Sequence, residues 1–262
     1  MVRGLDVFKE FFYGMEENYV IIGGTACNIH EEEMQQEPRA TKDIDLILIV
    51  EALSDAFVRR FWEFIVAGGY TQRQRGESSD GIKPGRNHEY FRFIRPEKKE
   101  FPKQIELFSR NLGLMNFPED AHITPIPAGD NYSSLSAILM DDDYYNFTIN
   151  HSGLVDGVHY ANPESLICLK AKAFLVMTKR KAEGEDEDLE DIEKHKKDVF
   201  RMIPTLSADT RFSLPPKLAN DLLSFLEAIA TELPGKELFK AMKLPRLNAE
   251  EVVEKTRRIF QL

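Results

Sequence analysis

The 262-residue chain lacks the features that mark secreted and membrane proteins. Its two cysteines, Cys27 and Cys168, are too few for a disulfide framework or a four-ligand zinc site. The longest apolar runs, 45–50 and 166–177, are short or interrupted by charges, so no membrane-spanning segment is predicted. Residues 1–6 contain no apolar signal-peptide core, and we therefore expect a cytoplasmic protein that does not interact with membranes.

Basic residues are also scarce relative to acidic ones. The 34 Lys and Arg residues face 44 Asp and Glu residues, which gives a net charge of −10. Non-specific binding to duplex DNA depends on a basic surface, so it is not expected here. The apolar content of 42% and charged content of 30% are typical of a globular protein with one large domain or two smaller ones.

The hydrophobic pattern changes near residue 160, where an α/β region gives way to an all-helical one. The first region is predicted to contain helices over 5–17, 25–34 and 54–66, strands over 19–22, 43–50, 88–94 and 103–109, and strand-like pieces at 144–149 and 154–160. The second region is predicted to contain helices over 163–180, 186–203, 216–232 and 248–260, the first of them beginning at Asn162-Pro163.

Two aspartates share one face of the predicted strand 43–50. Alternation places Ile44 and Leu46 on one face and leaves Asp43 and Asp45 on the other, about 6.5–7 Å apart. Like charges at this distance favour a counter-ion, and carboxylate oxygens suit Mg²⁺ or Mn²⁺. Glu106, on the strand 103–109, could add a third carboxylate. The alternatives are that the aspartate pair binds no metal and that Glu106 is an ordinary exposed strand residue.

A glycine pair follows the predicted strand 19–22. Gly23, Gly24 and Thr25 come between that strand and a helix, an order that brings backbone N–H groups and a helix N-terminus to a phosphate. The alternative is a simple tight turn. Lys170 lies in the apolar stripe of the helix 163–180, where its ammonium either reaches water along the edge of the core or binds an anion such as a triphosphate.

The same residues match a known motif set. A Gly-Gly-Thr turn is followed by Arg39, Thr41, Asp43 and Asp45 in the pattern Arg-x-Thr-x-Asp-x-Asp. A Leu-x-x-x-Lys-x-x-Ala helix (166–173) and a Lys-Asp pair (197–198) come later. The chain thereby resembles the nucleotidyltransferase superfamily with the DNA polymerase β-like fold, and within it the AbiEii-like toxin branch. The resemblance extends to about residue 203.

The resemblance implies a nucleotidyltransferase-type mixed β-sheet with flanking helices over 1–160 and a helical domain over 161–262 that closes the active-site cleft. It implies one set of residues for catalysis and metal binding, namely Asp43, Asp45 and Glu106. It implies a second set for the nucleoside triphosphate (NTP), namely Gly23, Gly24, Thr25, Arg39, Thr41, Lys170 and Asp198. The family would position Glu106 where an aspartate usually lies, and the acidic run 183–193 lengthens the interval before Asp198. In our helical phasing Asp198 lies opposite the apolar stripe, so a solvent-exposed acid is the alternative.

The implied reaction is metal-dependent transfer of a nucleoside monophosphate from an NTP to an acceptor hydroxyl, with Mg²⁺ or Mn²⁺ as cofactor. The acceptor could be tRNA or another RNA, a small molecule or a protein, and the chain could be the toxin of a toxin–antitoxin pair with an antitoxin partner. Residues 70–110 carry ten basic and six acidic side chains, which would suit RNA, although a sheet with solvated arginines fits equally well.

Two other functions are considered. One is a nucleotide-binding or regulatory module that has lost catalysis and acts through a partner protein. The other is a metal-dependent phosphohydrolase, which is disfavoured because the six histidines show no metal-ligand spacing.

Overall fold

The computed structural model describes residues 2–72, 92–110, 123–126 and 135–262. The chain forms two compact units. Unit 1 contains Met1–Thr25, Ala40–Tyr145 and Gly153–Tyr160, whereas unit 2 contains Ala26–Arg39, Asn146–Ser152 and Ala161–Leu262. Two segments that precede residue 160 therefore pack with the C-terminal helices.

A mixed β-sheet forms the centre of unit 1, which confirms the α/β fold class. The strands of the described chain are β1 (Tyr19–Ile22), β2 (Asp43–Leu48), β3 (Thr71–Gln72), β4 (Arg92–Ile94), β5 (Gln104–Ser109), β6 (Ile123–Ile126), β7 (Leu135–Leu139), β8 (Ser152–Val155) and β9 (Val158–Ala161). Their order is β3-β4-β5-β2-β1-β9-β8, with β7 also beside β5 and β6 beside β7. Strand β2 is parallel to β5 and antiparallel to β1, so it is an interior strand.

Helices account for most of the remaining described structure. They are α1 (Leu5–Phe11), α2 (Gly23–Glu33), α3 (Asp55–Gly68), α4 (Asp142–Asn150), α5 (Pro163–Ala182), α6 (Leu189–Met202), α7 (Pro216–Ala228), α8 (Lys236–Ala241) and α9 (Ala249–Phe260). Short 3₁₀ helices lie at Glu16–Asn18 and Ile203–Thr205. The predicted helix over 5–17 ends early, because Gly14 has a positive φ of 77° that a helix does not continue through.

The core of unit 1 is rich in aromatic side chains from α1 and α3. The ring centroids of Phe8 and Phe64 are 5.9 Å apart, and those of Phe12 and Phe57 are 5.3 Å apart. All four rings are fully buried. Ser54 caps the N-terminus of helix α3, and its hydroxyl oxygen accepts a hydrogen bond from the Phe57 backbone N–H at 3.2 Å. The aromatic residues of each helix recur at helical spacing and therefore share its buried face.

The prediction of strand-like structure at 144–149 is wrong, because this segment lies in helix α4. Its buried side chains are spaced as on one helix face and do not alternate as in a strand; they are Tyr144, Tyr145, Phe147 and Thr148. Aromatic and β-branched residues favour strands locally, but burial of this face decides the structure.

The strand-like stretch at 154–160 is a hairpin made of β8 and β9. Its turn residues, Asp156 and Gly157, have φ values of 50° and 73°, as a type I′ turn requires. An Asp-Gly pair between apolar residues is a strong hairpin signal, and it marks the break between the two strands.

Unit 2 is organised around α5, which packs against α6 and α7. Leu166 and Ile167 of α5 are fully buried, and the rings of Phe174 and Phe225 meet edge to face at 5.2 Å. Asn162 precedes α5 at the N-cap position and Pro163 begins the helix, although the Asn162 side chain makes no capping hydrogen bond. None of the helices in the described ranges has the length and apolar character that a membrane-spanning segment needs.

Candidate active site

Asp43 and Asp45 occupy one face of β2, as the alternation predicts. Both are half-buried, while the intervening Ile44 and the following Leu46 are fully buried. The strand register places Asp45 beside Glu106 of β5 on one side and beside Ile22 of β1 on the other. Three predicted site elements therefore meet within unit 1: the aspartate strand, the Glu106 strand and the glycine turn that follows Ile22.

The Asp45 carboxylate lies on the side of Gly23 where a side chain would be. A Cβ atom built on Gly23 would lie 2.0 Å from Asp45 Oδ2, and the residue has a positive φ of 69°. A side chain at this position would therefore meet both a steric clash and a disfavoured backbone conformation. The absence of a side chain allows the β1–α2 turn to lie directly against Asp45. The requirement for glycine at this position therefore comes from the contact with Asp45 as well as from the turn conformation.

Thr25 ties the same turn to the aspartate strand. Its buried hydroxyl donates a hydrogen bond to the Asp43 backbone carbonyl oxygen at 2.7 Å. The hydroxyl proton is thus used to position β2, and any phosphate contact from Thr25 would come from its backbone N–H. Gly24 is buried next to it, in the first turn of α2. Thr41 lies half-buried in the segment before β2.

One oxygen of the Asp43 carboxylate is suited to bind a cation. Its Oδ1 is buried and has no hydrogen-bond partner among the described residues. A carboxylate oxygen in this state is unfavourable unless a positive charge or a donor reaches it. With Asp45 on the same strand face, Asp43 would supply the carboxylate oxygens that Mg²⁺ or Mn²⁺ prefers.

Glu106 is engaged differently from the two aspartates. Its Oε1 accepts a hydrogen bond from Arg92 Nε across the antiparallel β4–β5 pair, and the two residues form an ion pair. Within the described ranges, no group of three or more His, Cys, Asp or Glu side chains is arranged to hold one metal ion. Glu106, the third carboxylate of the predicted triad, is thus paired with Arg92, which is not among the site residues predicted from the sequence.

A second group of predicted residues forms a buried charge cluster in unit 2. Lys170 Nζ lies 2.9 Å from Asp198 Oδ2. The Arg39 guanidinium binds the same carboxylate through Nε at 3.1 Å and Nη2 at 3.0 Å. The Asp198 side chain is only 2% exposed, and Lys170 is also buried. Two of the alternatives given above are therefore wrong: the Lys170 ammonium does not reach water along the edge of the core, and Asp198 is not exposed to solvent.

The cluster holds its groups in their charged forms. Burial by itself raises the pKa of Asp198, but the Lys170 ammonium and the Arg39 guanidinium outweigh it and hold that pKa at about 2. Burial lowers the pKa of Lys170, yet the Asp198 carboxylate outweighs this effect and the Lys170 pKa is raised. At neutral pH the cluster therefore carries two positive charges and one negative charge.

Two residues near this cluster were not predicted as part of it. Burial, followed by the positive charge of Lys170, lowers the pKa of His195 to about 3, so its imidazole is neutral at physiological pH. Cys27 is buried nearby, and burial raises the pKa of its thiol to about 12. The amphipathic pattern of α6 indicates that His195 is packed, but no sequence signal connects it with Lys170.

The acidic residues at the end of α2 also have a structural role in unit 2. Residues 31–33 extend α2, as expected, and Glu31 is buried. Its carboxylate accepts hydrogen bonds from Arg201 at 2.6 and 3.2 Å. Arg201 additionally donates to the Glu37 backbone carbonyl oxygen. The segment that leads to Arg39 is therefore held by a buried arginine from α6.

The predicted site residues thus form two groups, one in each unit: Gly23, Gly24, Thr25, Thr41, Asp43, Asp45 and Glu106 in unit 1, and Arg39, Lys170 and Asp198 in unit 2. Much of the basic region 70–110 lies outside the described residues, as do the predicted strand residues 88–91.

Comparisons with known proteins give only a weak structural similarity. No protein-family model matches the chain, and no curated protein matches it. Among solved structures, the chain is similar to the Megavirus polyadenylate synthase, with 12% identity and a TM-score of 0.35. The match covers 94% of this chain and 43% of that protein, so the chain spans less than half of its length. A match at this level assigns no family, and the functional conclusion depends on the residues described above.

Proposed function

We propose that this chain is a metal-dependent nucleotidyltransferase that moves a nucleoside monophosphate from an NTP to an acceptor hydroxyl. The observation that supports this proposal best is the arrangement in unit 1. Two carboxylates lie on one face of an interior strand, and a glycine turn at the start of a helix lies directly against one of them. Carboxylates and a helix N-terminus with a glycine turn are complementary to a cation and to polyphosphate, respectively.

The proposed metal ligands are Asp43 and Asp45. Two protein carboxylates are enough for Mg²⁺, which usually retains waters and takes substrate phosphate oxygens as further ligands. A bound Mg²⁺ or Mn²⁺ would neutralise charge that develops on the phosphate oxygens during the displacement. The unpartnered Oδ1 of Asp43 supports this assignment because a bound cation would stabilise it.

In the proposed reaction the acceptor oxygen forms a bond to the α-phosphorus, and the bond from that phosphorus to the β-bridging oxygen breaks. Pyrophosphate leaves, and the hydroxyl proton passes to a carboxylate or to solvent. Gly23 and Gly24 would present backbone N–H groups to the β- and γ-phosphates. Glu106 would accept the proton only after Arg92 moves from it, because the ion pair stabilises its ionised form.

The first experiment replaces the proposed metal ligands one at a time. Asp43→Asn and Asp45→Asn should abolish Mg²⁺-dependent release of pyrophosphate while circular dichroism and the thermal midpoint remain close to those of the wild type. Asp55→Asn, an exposed residue in the first turn of α3, serves as the matched control and should remain active. Full activity of either site variant would refute the assignment.

A second candidate is a nucleotide-binding module without turnover, acting through a partner protein. It is favoured by the Arg92–Glu106 ion pair and by the lack of a three-carboxylate cluster among the described residues. Calorimetry with each NTP and Mg²⁺, run beside a pyrophosphate assay, separates the two candidates. Binding without release identifies the module, whereas release identifies the enzyme.

The acceptor and the biological role are finer proposals. The sequence motifs favour the AbiEii-like branch, and with it an RNA acceptor and an antitoxin partner. Incubation with labelled ATP, CTP, GTP and UTP, Mg²⁺ and total RNA tests this directly. Label in tRNA or another RNA supports the toxin-like role, and label in the chain itself indicates a protein hydroxyl. Transfer to neither polymer, with pyrophosphate still released, directs the search to small molecules.

A further inference from the structure

Unit 2 contains a pocket with a volume of about 680 Å³. None of its lining residues belongs to the Lys170–Asp198–Arg39 cluster, and the proposed reaction does not use it. The walls come from the segment after α2, the 3₁₀ helix Ile203–Thr205, the loop between α8 and α9, and the first turns of α9. Ligand pockets in proteins have volumes of about 300–1,000 Å³, so this one is large enough for a small organic molecule.

One part of the pocket wall is apolar. It is formed by Met34, Leu244, Leu247 and Val252. Met34 is 52% exposed, which is high for a methionine. Thioether and aliphatic side chains of this kind pack against a flat apolar group and release water from both surfaces. The wall therefore favours a ligand with an apolar body over a purely ionic one.

The rest of the lining has an excess of positive charge. Lys243, Arg246 and Lys255 line the pocket, against a single acid, Glu251. Lys255 donates to the Leu206 backbone carbonyl oxygen at 2.7 Å, and Lys243 lies 2.6 Å from a Glu37 carboxylate oxygen. Arg246 is exposed, and it forms no ion pair with any residue in the described ranges. A guanidinium of this kind suits an anionic ligand group, phosphate in particular.

Gln36 adds a specific polar group to this wall. The residue is only 7% exposed, and its Oε1 is buried with no hydrogen-bond partner among the described residues. Because this oxygen has no hydrogen bond to lose, and because the terminal torsion of a glutamine is soft, the amide can turn toward a ligand. An acceptor without a donor favours a ligand that brings an N–H group to it.

An adenine nucleotide combines all three features. Its base is flat and apolar on both faces, its N6 amine and N7 match the oxygen and nitrogen of a glutamine amide, and its phosphate is anionic. We propose that this pocket binds adenosine phosphate, with the base against the Met34 wall, Gln36 on the base edge, and Arg246 with Lys243 on the phosphate. This site is independent of the proposed transfer reaction.

The test observes the methionine methyl groups of the full chain by NMR while AMP is added. The chain has eight methionines, and Met34→Leu identifies the Met34 signal. EDTA is present throughout, so that a cation site on β2 does not contribute. A saturable shift of the Met34 signal with AMP is expected. No shift, or the same shift with inorganic phosphate alone, would overturn the proposal.

Two comparisons test the assigned contacts: a nucleotide with a different base, and variants of the lining residues. Purine riboside monophosphate, which keeps the flat purine but has no N–H group on its base, should bind about tenfold more weakly than AMP, and equal affinities would overturn the role of Gln36. Gln36→Met and Arg246→Glu should each weaken AMP binding about tenfold, whereas Lys240→Glu, an exposed residue outside the lining, should not. Gln36→Met removes a buried oxygen that lacks a partner, so its thermal midpoint should not fall. Wild-type AMP affinity in a folded Gln36→Met protein would contradict the assignment.

A short adenylate RNA completes the experiment, because AMP and a nucleotide within a strand share the same chemistry. If the oligonucleotide shifts the Met34 signal at lower concentration than AMP does, the pocket takes a strand. If AMP alone shifts it, the pocket takes the free nucleotide. Both results support the proposed site and identify the source of its ligand.

Discussion

Replacing Gly23 with alanine tests whether the Asp45 carboxylate depends on the bare backbone of the β1–α2 turn. An alanine Cβ would lie 2.0 Å from Asp45 Oδ2 and 3.0 Å from Asp45 Cγ, so the carboxylate would have to leave its present position. If Asp45 is a metal ligand, Gly23→Ala should therefore lose Mg²⁺-dependent NTP binding. Calorimetry with NTP, with and without Mg²⁺, measures this loss.

Gly14 provides a matched control for the backbone effect. It has a φ of 77°, close to the 69° of Gly23, but a Cβ at Gly14 would meet no atom within 4 Å. Each alanine should cost about 1–2 kcal/mol for its left-handed conformation. Gly23→Ala should cost about 1 kcal/mol more, because Asp45 is forced from its rotamer. Urea denaturation of both variants gives this difference.

The two measurements together decide the outcome. Gly14→Ala should bind NTP and Mg²⁺ normally despite its lower stability, and Gly23→Ala should not. If both variants retain the same metal-dependent binding, the contact between the turn and Asp45 has no part in the site. If both lose it equally, the loss follows from reduced stability and the reasoning about Asp45 is refuted.

Three further predictions concern stability and reactivity. Because the pKa of Asp198 falls from 3.8 to about 2 on folding, its ionised form contributes about 2 kcal/mol of stability above pH 4, and this contribution is lost as the pH falls toward 2. Asp198→Asn should remove that part of the pH dependence. It should also lower the free energy of unfolding by about 3–5 kcal/mol at pH 7, because the buried positive charges lose their partner, and denaturation across pH 2–7 measures both effects. Cys27 and Cys168 are buried with raised pKa values, so a thiol reagent should label neither until denaturant is added, and rapid labelling of the native chain would contradict their burial. Ser54→Ala should cost about 1–2 kcal/mol, because its hydroxyl both accepts from the Phe57 N–H and donates to Asn18 Oδ1, and Ser54→Thr, which keeps the hydroxyl, should recover most of this loss in urea unfolding.

The parts of unit 1 that the sequence predicts well depend on short-range patterns. Alternation along one strand is enough to place Asp43 and Asp45 on a common face, because successive side chains point to opposite sides of a sheet. The glycine pair after an apolar strand likewise predicts the turn. Neither pattern contains the strand register, so the contact between Gly23 and Asp45 could be stated only from the structure.

Long-range charge pairing explains what sequence reasoning missed. Glu106 meets Arg92 because β4 and β5 are paired at that register, and nothing local to either residue specifies it. A solvent-exposed Asp198 was the alternative because helical phasing counts only apolar residues as buried. A carboxylate can also be buried when cations accompany it, and Lys170, in another helix, meets that condition.

The hydrogen bond from Thr25 to the Asp43 carbonyl joins two points that are 18 residues apart in sequence. The chain leaves the sheet after the glycine turn and returns to the neighbouring strand at almost the same place. Residues 26–39, which lie between these two points, belong to unit 2. Residues inserted in this segment can therefore pack with unit 2 without shifting the aspartates. The segment between the glycine turn and the aspartate strand is, on this view, a place where the fold tolerates insertions.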